Sequence, residues 1–81
     1  MKIIKTEDIH QILQETFPKS KIPNAIDNLK MGDLEGWDSL GNFNLLLAFE
    51  KFYEIRFSME EVSLLKSISQ ITRSLKKRSA V

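Results

Sequence analysis

In GWDSLGNF, residues 36–43, an aspartate and a serine stand just ahead of a strongly apolar run, LLLAF. Asp38 has the side chain of a helix N-cap, which places Ser39 in the first turn of the helix that follows. Backbone N–H groups lack intrahelical acceptors there, and the positive end of the helix dipole converges on the same point. A hydroxyl so placed is chemically useful, because a phosphodiester formed on it is favoured by the field that favours any anion at a helix N-terminus. The start is otherwise a poor one. Gly41 and Asn42 follow directly, and Gly41 alone costs its helix about 1 kcal/mol relative to alanine.

Other reactive groups are scarce. His10 is the only histidine and lies among polar neighbours, where an exposed or partly packed helix residue is expected. A Ser–His–acid triad would need His10 to meet a serine across the fold, and no motif points to one. The absence of cysteine excludes a disulfide framework, a thiolate metal site and a cysteine nucleophile. No metal-ligand spacing occurs, and three glycines do not form a phosphate-cradling loop. A non-catalytic protein is expected. No stretch approaches the roughly eighteen apolar residues of a membrane span, and MKIIKTEDIHQIL lacks a signal-peptide core, so a cytoplasmic protein without membrane association is expected. The net charge of +1 conceals an asymmetry: Lys66, Arg73, Lys76, Lys77 and Arg78 lie beyond the last acid, leaving the preceding body acidic.

The 81 residues bound the chain to one domain, 1–81. Four segments have helical spacing and none alternates with period two. In TEDIHQILQETF, Thr6 is the expected cap, Glu7 and Asp8 suit the first turn, and Ile9, Ile12, Leu13 and Phe17 form one apolar face. Residues 18–38 form a long connection holding both prolines and two of the three glycines. Ile26, Leu29 and Leu34 are expected against the core, with a short helical turn near residues 24–29. The second helix is expected over 39–53, with Leu40, Phe43, Leu46, Leu47 and Phe49 or Phe52 on its buried side. Ser58 with Glu61 is a capping box opening a short third helix over 59–64. Ser67 with Gln70 has the same spacing and opens a fourth from Ile68, with Ile68, Ile71 and Leu75 inward and residues 76–81 frayed. The expected fold class is all-α: a four-helix bundle with a long loop between helices 1 and 2 and a short helix 3.

The stretch GWDSLGNFNLLLAFEKFYEIRFSMEEV resembles the acyl and peptidyl carrier proteins around their prosthetic-group attachment site. The triplet Asp38-Ser39-Leu40 matches the one that begins the family's second helix. Residues 48–57, AFEKFYEIRF, match the phrase that closes that helix, and the short third and serine-capped fourth helices extend the resemblance over nearly the whole chain. The resemblance implies a monomeric, free-standing carrier with no nucleic-acid partner. It implies 4′-phosphopantetheine attached to Ser39 from coenzyme A by a phosphopantetheinyl transferase, with Asp38 and Leu40 beside it. The arm's thiol would hold an acyl or aminoacyl group as a thioester for the enzymes that load and transfer it.

Fatty-acid carriers have acids along the second helix. Here that helix has only Glu50 and Glu54, late in its length, whereas Asp33, Glu35 and Asp38 precede Ser39. The expected electrostatic face for basic partners is therefore Asp33, Glu35, Asp38 and Glu60. Trp37 is expected as a partner anchor or as a cover for the loop. Gly41 is expected to remove bulk so that an enzyme surface or the arm can lie close. Phe43 and Met59 are expected to border the arm's path or to join the core. The DSLGN form resembles carriers of specialised pathways, such as surface-polysaccharide, polyketide or nonribosomal-peptide synthesis. The alternatives are a nucleic-acid-binding module using the basic end, or an adaptor bundle without a prosthetic group.

Overall fold

The computed structural model describes residues 3–79 and contains four helices: α1 (Thr6–Thr16), α2 (Ser39–Tyr53), α3 (Met59–Leu64) and α4 (Ile68–Ser79). No strand occurs among the described residues; one isolated antiparallel bridge pairs Lys30 with Ser67. The chain is thus a small all-helical domain with a long α1–α2 connection and a six-residue α3.

Helix α1 buries Ile9, Ile12 and Leu13, the face its spacing predicts, and Phe17 joins them just past its end. Thr6 does not cap it. The cap position belongs to Lys5, which makes no side-chain bond, and Thr6 is the first helical residue. Helix α2 starts and ends at the expected residues but buries a different face. Gly41, Asn42, Leu45, Leu46, Phe49 and Tyr53 point inward, whereas Leu40, Phe43 and Leu47 are 70%, 46% and 45% exposed. Apolar residues surround this helix, so periodicity alone could not choose between the two faces.

The phrase that ends α2 has a direct physical use. Glu54 adopts the left-handed conformation, and both its N–H and that of Ile55 close on the Glu50 carbonyl. The Glu50 carboxylate accepts the Phe57 N–H at 2.7 Å, so one side chain folds the bend back on the helix that precedes it. Phe57 is buried and Ile55 packs against the core. Ser58 and Glu61 then form the expected reciprocal capping box. At α4 the pattern is a variant: Ser67 accepts from the Gln70 N–H, but the Gln70 side chain accepts from Lys66 rather than from Ser67.

Helix α3 has no fully buried residue and is held by its polar side chains. Glu61 accepts two guanidinium bonds from Arg78, at 2.6 and 3.0 Å, and one from the Ser74 hydroxyl at 2.6 Å. Arg78 also donates to the Arg56 carbonyl and lies 5.1 Å over the Phe57 ring. This clamp corrects the expectation of a frayed basic end: residues 76–79 are helical, and Arg78 ties them to α3. Residues 80 and 81 lie outside the described residues.

The connection between α1 and α2 is ordered by its own contacts. Ile22, Ile26 and Trp37 are buried, with Leu29, Met31 and Leu34 packed against the core. No helical turn forms near residues 24–29; a tight turn closes instead through the Leu29 N–H on the Ile26 carbonyl. Backbone bonds from Met31 to Lys66 and from Ile68 to Leu29 then strap this segment to the α3–α4 junction.

Candidate functional site at the start of α2

Ser39 is the first residue of α2 and is exposed. Asp38, extended and also exposed, performs the capping, its carboxylate accepting the Gly41 N–H at 2.8 Å. The two adjacent polar residues therefore have separate tasks. Asp38 supplies the cap, and the Ser39 hydroxyl makes no hydrogen bond among the described residues. It is an exposed hydroxyl at the electropositive end of a fifteen-residue helix.

The loop beneath it is tightly packed. Gly36 has φ +89, in the left-handed region, which lets the chain turn into α2. Its carbonyl lies directly against Gly41, where an added Cβ would overlap the oxygen and come within 2.9 Å of the carbonyl carbon and 3.1 Å of the Phe17 ring. Trp37 is 1% exposed and stacks on Phe17 at 5.7 Å between ring centroids. Its indole N–H donates to the Asn42 Oδ1 at 2.9 Å.

These contacts sort the predicted site residues. Gly41 is buried, so its missing side chain makes room for the loop carbonyl rather than for a visiting surface. Trp37 covers the loop and is inaccessible as an anchor. Asp33 is partly committed to its own turn: its carboxylate accepts the Lys30 N–H at 3.0 Å and pairs with the Lys30 ammonium at 3.3 Å. The backbone bond, with smaller help from the lysine side chain, holds its pKa below the usual carboxylate value. Glu35, Asp38 and Glu60 remain exposed. Phe43 and Met59, the latter 88% exposed, take no core position. Leu40 likewise points outward, leaving Leu40, Phe43 and Leu47 as an apolar stripe beside Ser39, at helical spacing. His10 is half-buried on α1, and no group of three or more His, Cys, Asp or Glu that could hold a metal occurs among the described residues.

Two features escaped sequence reasoning. The outward stripe was hidden because α2 is apolar on every side. Asn42, 5% exposed, is a buried polar residue, whose only signal was its place within an apolar helix one turn after a tryptophan. No helix among the described residues is long and apolar enough to cross a membrane. No protein-family model, curated protein or solved structure matches the chain.

Proposed function

We propose that this chain is an acyl-carrier-type protein whose Ser39 accepts 4′-phosphopantetheine. The observation that carries the reading is an exposed, unbonded serine hydroxyl at the first residue of a helix capped by its neighbour Asp38. The residues present suit the group. A phosphodiester at Ser39 would lie at the free N–H end of α2, with Leu40, Phe43 and Leu47 offering apolar surface alongside. The dense interior, with Trp37 and Phe17 closing the loop, keeps the serine at a fixed surface point.

In the transfer, Ser39 Oγ forms a new bond to the phosphorus of coenzyme A that bears the pantetheine arm. The pyrophosphate P–O bond breaks, the adenosine 3′,5′-bisphosphate portion leaves, and the hydroxyl proton passes to a base of the transferase. When attached, the group supplies a terminal thiol that holds an acyl or aminoacyl cargo as a thioester, a function this cysteine-free chain has no side chain for. The chain's own part is position and recognition. Glu35, Asp38 and Glu60 give basic partners an electrostatic approach, and the α2 stripe gives them apolar contact. The lack of acids over the first eleven residues of α2, before Glu50, favours an enzyme set of a specialised cytoplasmic pathway over the general fatty-acid enzymes.

The test is intact mass after incubation with coenzyme A, Mg²⁺ and a broad-specificity phosphopantetheinyl transferase. One phosphopantetheinyl increment on the wild type and none on Ser39→Ala is the expected result. An unmodified wild type, or a modified Ser39→Ala, overturns the assignment and leaves an adaptor bundle as the reading.

A further inference from the structure

We infer that Asn42 is the positioning residue for Ser39, acting through a closed ring of hydrogen bonds that registers the attachment loop against the rest of the domain. The inference rests on the carrier reading for its functional consequence, though not for its structural one.

Asn42 is buried at the base of the first turn of α2, below Ser39. Its side chain uses both ends. Oδ1 accepts the Trp37 indole N–H, and Nδ2 donates to the Leu65 carbonyl, each at 2.9 Å. Leu65 caps the end of α3, and the carbonyl of the next residue, Lys66, accepts the Met31 N–H at 2.8 Å. One residue on, the Gly32 N–H donates to the Trp37 carbonyl at 2.8 Å. The path from Asn42 through Leu65 and Lys66 to Met31 and Gly32, and back through Trp37, closes on itself. Trp37 is separated from Ser39 by Asp38 alone, so the last member of the ring fixes the chain just before the nucleophile.

An apolar residue at position 42 would satisfy the general demand for burial, and helix propensity also argues against asparagine there. Asparagine is one of few side chains that carry a donor and an acceptor on one short plane. Here the donor and the acceptor each meet a buried partner from a different segment. Removal of the amide leaves an indole N–H and a backbone carbonyl unpaired together, and such a paired loss is felt as local opening. The shared opening would be read at the bonded amides of the attachment loop and first turn, those of Gly32, Trp37 and Gly41.

The experiment compares wild type, Asn42→Ala and Trp37→Phe, with Ile12→Val as a control. Trp37→Phe deletes one indole donor while keeping a ring to stack on Phe17, and it serves if Asn42→Ala does not fold. Ile12 is a core residue of α1 that lines a groove with Ala48 and Phe52, toward the other end of α2 from Ser39. Two readouts are taken well below the melting temperature. Amide hydrogen exchange at Gly32, at residue 37 and at Gly41, whose N–H groups are hydrogen-bonded in the wild type, should accelerate about tenfold or more in Asn42→Ala, less in Trp37→Phe, and not selectively in Ile12→Val. In the transferase assay, the two ring variants should raise KM for the carrier with kcat held within about twofold, whereas Ile12→Val leaves both unchanged. If exchange at these amides rises no more than in the rest of the domain, or KM is unmoved, Asn42 is structural only and the inference fails. A wild type that is never modified refutes the carrier reading alone, because the exchange comparison still decides the ring.

Discussion

Replacing Gly41 with alanine sets two effects of opposite sign against each other. In the helix, alanine gains about 1 kcal/mol over glycine, and if residue 41 faced solvent the variant would be the more stable protein. The packing opposes this. A Cβ built there overlaps the Gly36 carbonyl oxygen and lies 2.9 Å from its carbon and 3.1 Å from the Phe17 ring, against an optimum of about 3.5–4.0 Å for carbon pairs. Neither neighbour yields easily. Gly36 is held in a left-handed turn, and the Phe17 ring is buried and stacked on Trp37. Overpacking of this kind costs about 1–3 kcal/mol, and a loop displaced to relieve it also strains the Trp37–Asn42 bond. An overlap with backbone belongs in the upper part of that range, so subtracting the helix gain leaves a net loss on the order of 1–2 kcal/mol. In a domain of this size each kcal/mol moves Tm by about 4–8 °C, so a fall of roughly 5–15 °C is expected.

Thermal unfolding followed by far-UV circular dichroism measures that fall, and the single tryptophan supplies a second probe sited in the affected loop. Asn44→Ala is the control: Asn44 is exposed on the same helix, so alanine there should be neutral or stabilising by a few tenths of a kcal/mol. The two outcomes separate the two roles for Gly41. If it serves only to clear space for an approaching enzyme, Gly41→Ala gains stability while modification slows. If it serves the loop, stability falls first. A Tm at or above that of wild type would refute the packing argument.

Three further outcomes follow from the same geometry. Ser39→Ala should change stability by less than about 0.5 kcal/mol, as an exposed and unbonded hydroxyl, whereas Asp38→Ala should cost about 1 kcal/mol through loss of the cap; denaturant titration of both variants checks the division of labour. Glu61 is held down to about 2, chiefly by the Arg78 guanidinium and then by the Ser58 and Ser74 donors, against an ordinary value of 4.5. A depressed carboxylate stabilises above its unfolded pKa, so that contribution should be complete above about pH 5 and lost toward pH 2. It amounts to on the order of 1–2 kcal/mol once solvent screening is allowed for, and urea titrations across that range should show a flattened acid slope in Glu61→Gln. Phe43→Ser should leave Tm within about 2–4 °C of wild type because the ring is nearly half exposed, yet lower kcat/KM in the transferase assay if the stripe contacts the enzyme.

The parts of the fold legible in the sequence were those governed by local chemistry. Asp38 and the Ser58–Glu61 pair set their helix starts within a few residues of backbone, and both acted as their side chains predict. Thr6 failed where Asp38 succeeded because its hydroxyl lies inside the helix and bonds no cap N–H, leaving extended Lys5 at the boundary. The basic C-terminal end read as loose because its partner, Glu61, is seventeen residues away from Arg78. The inward turn of Trp37 and Gly41 was equally hidden: both depend on Phe17, far back in the chain, and on a glycine carbonyl whose position no residue type announces.

The register of α2 ties these long-range contacts to the candidate site. At about 3.6 residues per turn, turning Gly41 and Asn42 inward obliges Leu40, Phe43, Asn44 and Leu47 to share the outer face, with Ser39 at its edge. The weak helix formers and the exposed apolar residues are then one choice seen from opposite sides. A sequence optimised for stability alone would bury Leu40, Phe43 and Leu47, each worth about 1.5–3 kcal/mol when fully covered, and place the glycine and asparagine outside. The register found here instead buries Gly41 and Asn42 alongside Leu45, Leu46, Phe49 and Tyr53 and leaves those three outside. It packs the loop backbone where side chains would normally go, and it brings the serine to the surface with apolar contacts beside it. On the proposed carrier reading, the exposed Leu40, Phe43 and Leu47 are the apolar contact that partner enzymes would meet beside Ser39.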